Sequence, residues 1–169
     1  MQNYAVVVGT GLMGAGIAVD LLLAGWDVGL HDADPNGVAK ARQTIAGALG
    51  RLQSIGLIDD DARVAALSRV RGDAPLDALV RGADLVIESA LEDLGVKRAI
   101  FAELDARCDA ATILASNTSS FVPSLYASST ARPDRVMGMH YFNPPYLVPC
   151  VELVVGPQTA DATIDRVRD

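Results

Sequence analysis

Short apolar runs alternate with longer mixed stretches along most of the chain. Tyr4–Val8 is an apolar run that ends at Gly9 and reads as a buried strand. Residues 12–24 read as a helix stopped by Gly25, which suits the left-handed position after a helix end. Asp27–His31 reads as a second strand. Asp34 is then expected to cap a helix with Pro35 in its first position, running towards Ser54, its later turns weakened by Gly47 and Gly50. A shorter helix is predicted over Asp60–Ser68, a strand over 85–87, an amphipathic helix over 94–106, and strands over 113–115 and 136–139. Val151–Val155 reads as the last strand, with Pro149 just before it, and 162–168 as the start of a helix. Alternating strands and helices predict an α/β fold, a doubly wound, mostly parallel sheet with helices on both faces. Only after His140 does the pattern change, to two close strands joined by a Pro-rich bend.

Composition narrows the function classes. Half of the 169 residues are hydrophobic, enough for the core of one domain and unlike a disordered chain. The net charge is −7, the acids are dispersed and no long basic run occurs, which argues against a nucleic-acid partner. No apolar run reaches the length of a membrane span, and no charged leader with a cleavage site follows Met1, so neither a membrane association nor a signal peptide is expected. Cys108 and Cys150 lie far apart without metal-ligand spacing. They read as free thiols of a reducing cytoplasm, and no metal site is expected.

The first chemical motif is Gly9-Thr10-Gly11-Leu12-Met13-Gly14, placed between a predicted strand and a predicted helix. In that context Gly9 permits the tight turn, Gly11 leaves room for a pyrophosphate and Gly14 lets helix and sheet pack closely. The helix N-terminus attracts the phosphates. Leu12 and Met13 belong to the same loop, Met13 packing beneath it. Asp32 ends the second strand, where a carboxylate accepts hydrogen bonds from ribose hydroxyls and repels a 2′-phosphate. No arginine adjoins it, so the cofactor expected is NAD rather than NADP, on a Rossmann-type domain.

The second half carries the more specific signals. Glu88, Glu92, Asp93 and Lys97 follow one strand, Ser116-Asn117-Thr118-Ser119-Ser120 follows the next, and His140-Tyr141-Phe142-Asn143-Pro144-Pro145 precedes Val151-Glu152-Leu153-Val154. Together with the glycine loop, this ordered set resembles the motifs of the 3-hydroxyacyl-CoA dehydrogenase family over nearly the whole chain. The resemblance implies that His140 is the catalytic base and Glu152 its acidic partner. It implies that Ser119 hydrogen-bonds substrate near the nicotinamide, that Asn143 belongs to the same site, and that Glu92 and Lys97 contact the cofactor. Glu88 reads as a cap of the following loop. The chemistry accords with such a set: oxidising a secondary alcohol needs a base near neutral pH, and a carboxylate on its other nitrogen fixes the tautomer.

The resemblance further implies an NAD-dependent oxidation of a 3-hydroxyacyl thioester, on coenzyme A or a carrier protein, or the reverse reduction, as in fatty acid metabolism. In the family a helical domain follows, absent from these 169 residues, and the full-length protein is a homodimer. Residues 1–169 would then be the NAD-binding domain. Around Ala48 the serine and lysine of the coenzyme A contact are missing, with Arg51 the only basic residue. The Asn143–Pro149 bend and the tail also resemble the lambda-crystallin and gulonate 3-dehydrogenase branch. A small free hydroxy acid is therefore the alternative substrate. A non-catalytic, crystallin-like NAD-binding protein is a third reading, against which the intact His140 and Glu152 argue.

Overall fold

The structure is a computed structural model and describes residues 3–72 and 74–168. Among the described residues, seven strands form one sheet: β1 (Tyr4–Val8), β2 (Asp27–His31), β3 (Val70–Arg71), β4 (Leu85–Glu88), β5 (Ile113–Ser116), β6 (Val136–Tyr141) and β7 (Val151–Val155). Their order is β3-β2-β1-β4-β5-β6-β7, parallel except for the antiparallel β6–β7 pair. The first six follow the doubly wound dinucleotide-binding order, in which the direction of winding reverses between β1 and β4.

Alternate residues of the central strands feed two separate apolar layers. Ala5 and Val7 join Leu85, Ile87, Ile113 and Ala115 on one face, with helices α1 (Leu12–Leu23), α2 (Gly37–Ser54) and α3 (Asp60–Ser68) over them. Val6, Val8, Val86 and Leu114 face the other layer, under α4 (Leu76–Val80), α5 (Leu94–Arg107) and α6 (Ser124–Ala127). A strand buried on both faces needs apolar side chains at every position, which is why these runs read as continuous rather than alternating. A final helix, α7 (Asp161–Arg168), follows β7.

The helix ends follow local chemistry. Gly25, at φ +90°, takes the left-handed position after α1, while its N–H donates to Leu22 O and that of Trp26 to Leu21 O. Asp93 caps α5 by accepting from the Val96 N–H at 2.9 Å.

The start of α2 departs from the sequence expectation. Asp34 and Pro35 lie in a turn before the helix, closed by the Gly37 N–H on Asp34 O, and Asn36 is the N-cap residue. Asp34 instead accepts from the Asn36 N–H at 2.9 Å. Gly47 and Gly50 do not interrupt α2. Strands β4, β5 and β6 each run past their expected ends, so Glu88, Ser116 and His140 belong to strands.

Candidate active site

The residues singled out in the sequence converge on the carboxyl edge of the sheet, around the reversal between β1 and β4. Gly9 has φ +90°, and a Cβ there would lie 2.6 Å from the Ala90 nitrogen in the loop after β4. Gly14 packs α1 on the loop so closely that a Cβ would lie 2.0 Å from Gly9 O. Gly11 differs, because a Cβ there would meet nothing within 4 Å and would project into open space. It is also the N-cap of α1, whose N-terminus has no side-chain cap and no acid in its first turn. Its N–H groups and dipole therefore favour an anion.

Two cavities share Gly11, Ser89 and Ala90. The one over β2, of about 600 Å3, has apolar walls from Leu76, Leu91, Val96 and Ile100 with Asp32 and His31 at its rim. Asp32 accepts from the Thr10 N–H at 2.6 Å and hydroxyl at 2.7 Å, and from the Asp34 N–H at 2.9 Å. Partial burial alone would raise its carboxyl pKa. The hydrogen bonds from Thr10 and Asp34 outweigh that and hold it below the ordinary carboxylate value.

The second cavity, of about 520 Å3, is lined by Leu12, Met13, Glu92, Lys97, Asn117, Ser119, His140 and Asn143. All the residues expected there thus open onto it except Glu152. That residue lies behind His140, because the antiparallel register sets His140 directly opposite Glu152. Their side chains meet at 2.8 Å, His140 Nδ1 to Glu152 Oε2. A carboxylate only accepts, so Nδ1 donates, and in the neutral imidazole Nε2 keeps its lone pair. Phe142 leans on the imidazole with ring centroids 4.9 Å apart. Among the described residues, the hydrogen-bond contact of Ser119 Oγ is with Ser120 Oγ, at 3.5 Å.

Lys97 lies deeper than a surface cofactor contact would require. It is 1% exposed, and its ammonium pairs with both oxygens of Glu88 at 3.0 Å and with Glu92 at 3.1 Å. Glu88 does cap its loop, accepting from the Ala90 N–H at 2.7 Å, but it is also fully buried and accepts from the Ser116 hydroxyl. Glu92 accepts from the Thr118 hydroxyl, whose oxygen in turn receives the Ser120 and Phe121 N–H groups. Desolvation would raise the Glu92 carboxyl pKa, yet the Thr118 and Lys97 hydrogen bonds hold it below the ordinary value. Sequence reading gave Thr10 and Asn117 no role, although both lie inside motifs it singled out. Ala48 also looks different in three dimensions: it is buried in the core and offers no surface to a ligand.

These features fit a dinucleotide. Asp32 and an apolar slot lie on one side, an uncapped helix end in the middle, and a polar cavity with an oriented histidine on the other. The fold and site define a Rossmann-type dinucleotide-binding domain. Residues 4–169 match the family model described as the 3-hydroxyacyl-CoA dehydrogenase NAD binding domain, and the chain belongs to that family.

It is 42% identical over 163 residues to a 3-hydroxybutyryl-CoA dehydrogenase of Bradyrhizobium diazoefficiens, covering 96% of this chain and 55% of the relative. It is 40% identical over 158 residues to an L-carnitine dehydrogenase of Streptomyces griseus, covering 94% and 46%. The crystal structure of (S)-3-hydroxybutyryl-CoA dehydrogenase from Ralstonia eutropha superposes with a TM-score of 0.94 at 36% identity, covering 99% of this chain and 59% of that one. The chain spans about half the length of the curated relatives it matches.

Proposed function

We propose that the protein is an NAD-dependent oxidoreductase that converts the 3-hydroxyl of a 3-hydroxyacyl thioester, on coenzyme A or a carrier protein, to the 3-keto form, or the reverse. The observation that carries this reading is His140, held by Glu152 at 2.8 Å and facing the same cavity as Gly11 and Ser119. When bound, NAD supplies the acceptor for the hydride that leaves the carbinol carbon. His140 Nε2 takes the hydroxyl proton, and Glu152 stabilises the imidazolium that forms. Ser119 and Asn143 orient the substrate oxygen beside the nicotinamide. Gly9, Gly11, Leu12, Met13 and Gly14 form the pyrophosphate loop, and Asp32 receives the adenosine ribose. Glu92 and Lys97 shape the nicotinamide end.

The similarity to an L-carnitine dehydrogenase supports a second reading, a small free hydroxy acid as substrate. The greater length of the relatives supports reading residues 1–169 as the cofactor domain of a longer enzyme, followed by a helical domain, and the family resemblance supports a homodimer. Two free thiols suit a cytoplasmic setting, and among the described residues no helix is long and apolar enough to cross a membrane.

The deciding experiment assays the intact protein with NAD against 3-hydroxyacyl thioesters of graded length and against free hydroxy acids including carnitine. His140→Ala, Glu152→Gln and the double variant are assayed on the best substrate. Loss of the base should lower kcat by about two to four orders of magnitude. Glu152→Gln should cost less, and the two losses should not add, because the carboxylate acts through the histidine. Wild-type turnover in His140→Ala would overturn the assignment of the base.

A further inference from the structure

The proposed reaction needs the His140 ring held in one place, since small misplacements of a reacting group cost large factors in rate. Yet the main chain around it has little support from the sheet interior. Parallel pairing of β5 with β6 stops where Ser116 meets Gly138. From Met139 to Tyr141 the strand neighbour of β6 is β7, which is itself the edge of the sheet.

Asn117 fills that gap. Its own N–H donates to Glu88 O at 2.8 Å, which anchors it to β4. Its side-chain Oδ1 accepts from the Tyr141 N–H at 2.9 Å, and its Nδ2 donates to Ser89 Oγ at 3.3 Å. One amide group therefore supplies the rung that β5 no longer offers and also reaches the loop after β4. The two residues it joins matter for the site: Tyr141 follows His140 in the chain, and Ser89 lines both cavities. A planar group with an acceptor on one side and a donor on the other meets both demands, which a hydroxyl on a shorter side chain cannot reach.

We propose that Asn117 is a positioning residue, which ties the end of β6 to the loop after β4 and thereby holds His140 over the nicotinamide end of the cleft. This rests on the reading of His140 as the base. It acts through main-chain geometry and exchanges no proton with substrate.

The test compares Asn117→Leu with Asn117→Asp in the intact protein. Leucine matches asparagine in size and removes both hydrogen bonds. Aspartate keeps an acceptor for the Tyr141 N–H and one for the Ser89 hydroxyl, which can turn to donate. In Asn117→Leu the Tyr141 amide should exchange its hydrogen at least tenfold faster while the Met137 amide is unchanged. The value of kcat should fall at least tenfold, and the NAD dissociation constant should stay within threefold. Asn117→Asp should restore the Tyr141 protection and most of kcat. If Asn117→Leu does not fold, Asn117→Ser, too short to reach Tyr141, replaces it.

Unchanged Tyr141 exchange in the variant lacking the amide would overturn the tether. Normal kcat with an opened amide would overturn its link to His140. A loss of NAD affinity as large as the loss of kcat would make Asn117 a cofactor ligand instead. If the wild-type protein turns over none of the substrates, the reading of the reaction fails, and the exchange measurement still decides the tether on its own.

Discussion

On the proposed reading, the choice between NAD and NADP rests on the Asp32 side chain and its hydrogen bonds. Its carboxylate is oriented by hydrogen bonds from Thr10 and Asp34. Hydrogen bonds to a charged group contribute about 1.5–3 kcal/mol each. Asp32→Ala should therefore weaken NAD binding about tenfold to a hundredfold and narrow its advantage over NADP, as titration calorimetry with both cofactors would show. Equal affinities for the two in the wild type would sink the claim. The same hydrogen bonds set the pH dependence. A carboxyl pKa lowered on folding adds stability above its unfolded value, and that contribution is lost as pH falls through the folded one. NAD affinity should thus be the same within twofold at pH 7 and pH 5, and the Asp32 carboxyl, followed by NMR, should titrate below its ordinary value of 3.8. The glycines separate fold from function in a similar way. Gly11→Ala adds a methyl in open space and should leave the melting temperature unchanged while weakening NAD at least tenfold. Gly14→Ala meets Gly9 O and should destabilise the whole domain.

At the scale of elements, the Glu88–Lys97 pair joins β4 to α5, and through Ser116, Glu92 and Thr118 it reaches the loop after β5 that carries Ser119. Removing one member of a buried pair strands the other charge, at about 3–5 kcal/mol, whereas removing both is often close to neutral. Lys97→Met should lose stability of that order in urea unfolding, and Lys97→Met with Glu88→Gln should recover much of it. A double variant no more stable than the single one would mean that the pair's charge balance is not what sets the cost. This network was invisible in the sequence because the partners come from three elements, and a glutamate after an apolar strand looks the same whether it caps a loop or neutralises a lysine. The strands β1, β2, β4, β5 and β6 were legible because burial on both faces demands apolar runs. The pieces missed, Val70–Arg71, Leu76–Val80 and Ser124–Ala127, are too short to show a period. The start of α2 was misread because Pro35 after Asp34 suits a turn as well as a first helical turn. The facing of His140 and Glu152 could be anticipated from the Pro-rich bend, since a chain that doubles back pairs residues on either side of it. Asn117 lay inside the Ser-Asn-Thr-Ser-Ser motif, but nothing local marked its role, because its side-chain partners come from β6 and the loop after β4.

Across the whole molecule, the division of labour follows from where the cavities lie. The two that flank the β1–β4 reversal share Gly11, Ser89 and Ala90, and between them they are lined by Gly9, Leu12, Asp32, Glu92 and Asn143. On the proposed substrate side, the Glu152 side chain is 57% exposed, on the strand at the edge of the sheet. An imidazolium–carboxylate pair gains from a water-excluded setting, because the same charges interact more strongly in a low dielectric. On the proposed reading of residues 1–169 as the cofactor domain of a longer enzyme, cofactor binding should be a property of this segment, and efficient turnover should need the rest of that enzyme. Residues 1–169 produced alone should bind NAD within about threefold of the affinity of the intact protein. Their kcat on the best substrate should fall at least a hundredfold below that of the intact protein. Equilibrium titration of NAD and steady-state assays on both proteins check the two halves separately. A hundredfold loss of NAD affinity in the segment would mean that the cofactor site draws on residues outside it. Equal turnover would mean that the His140–Glu152 pair works as well open to water as covered.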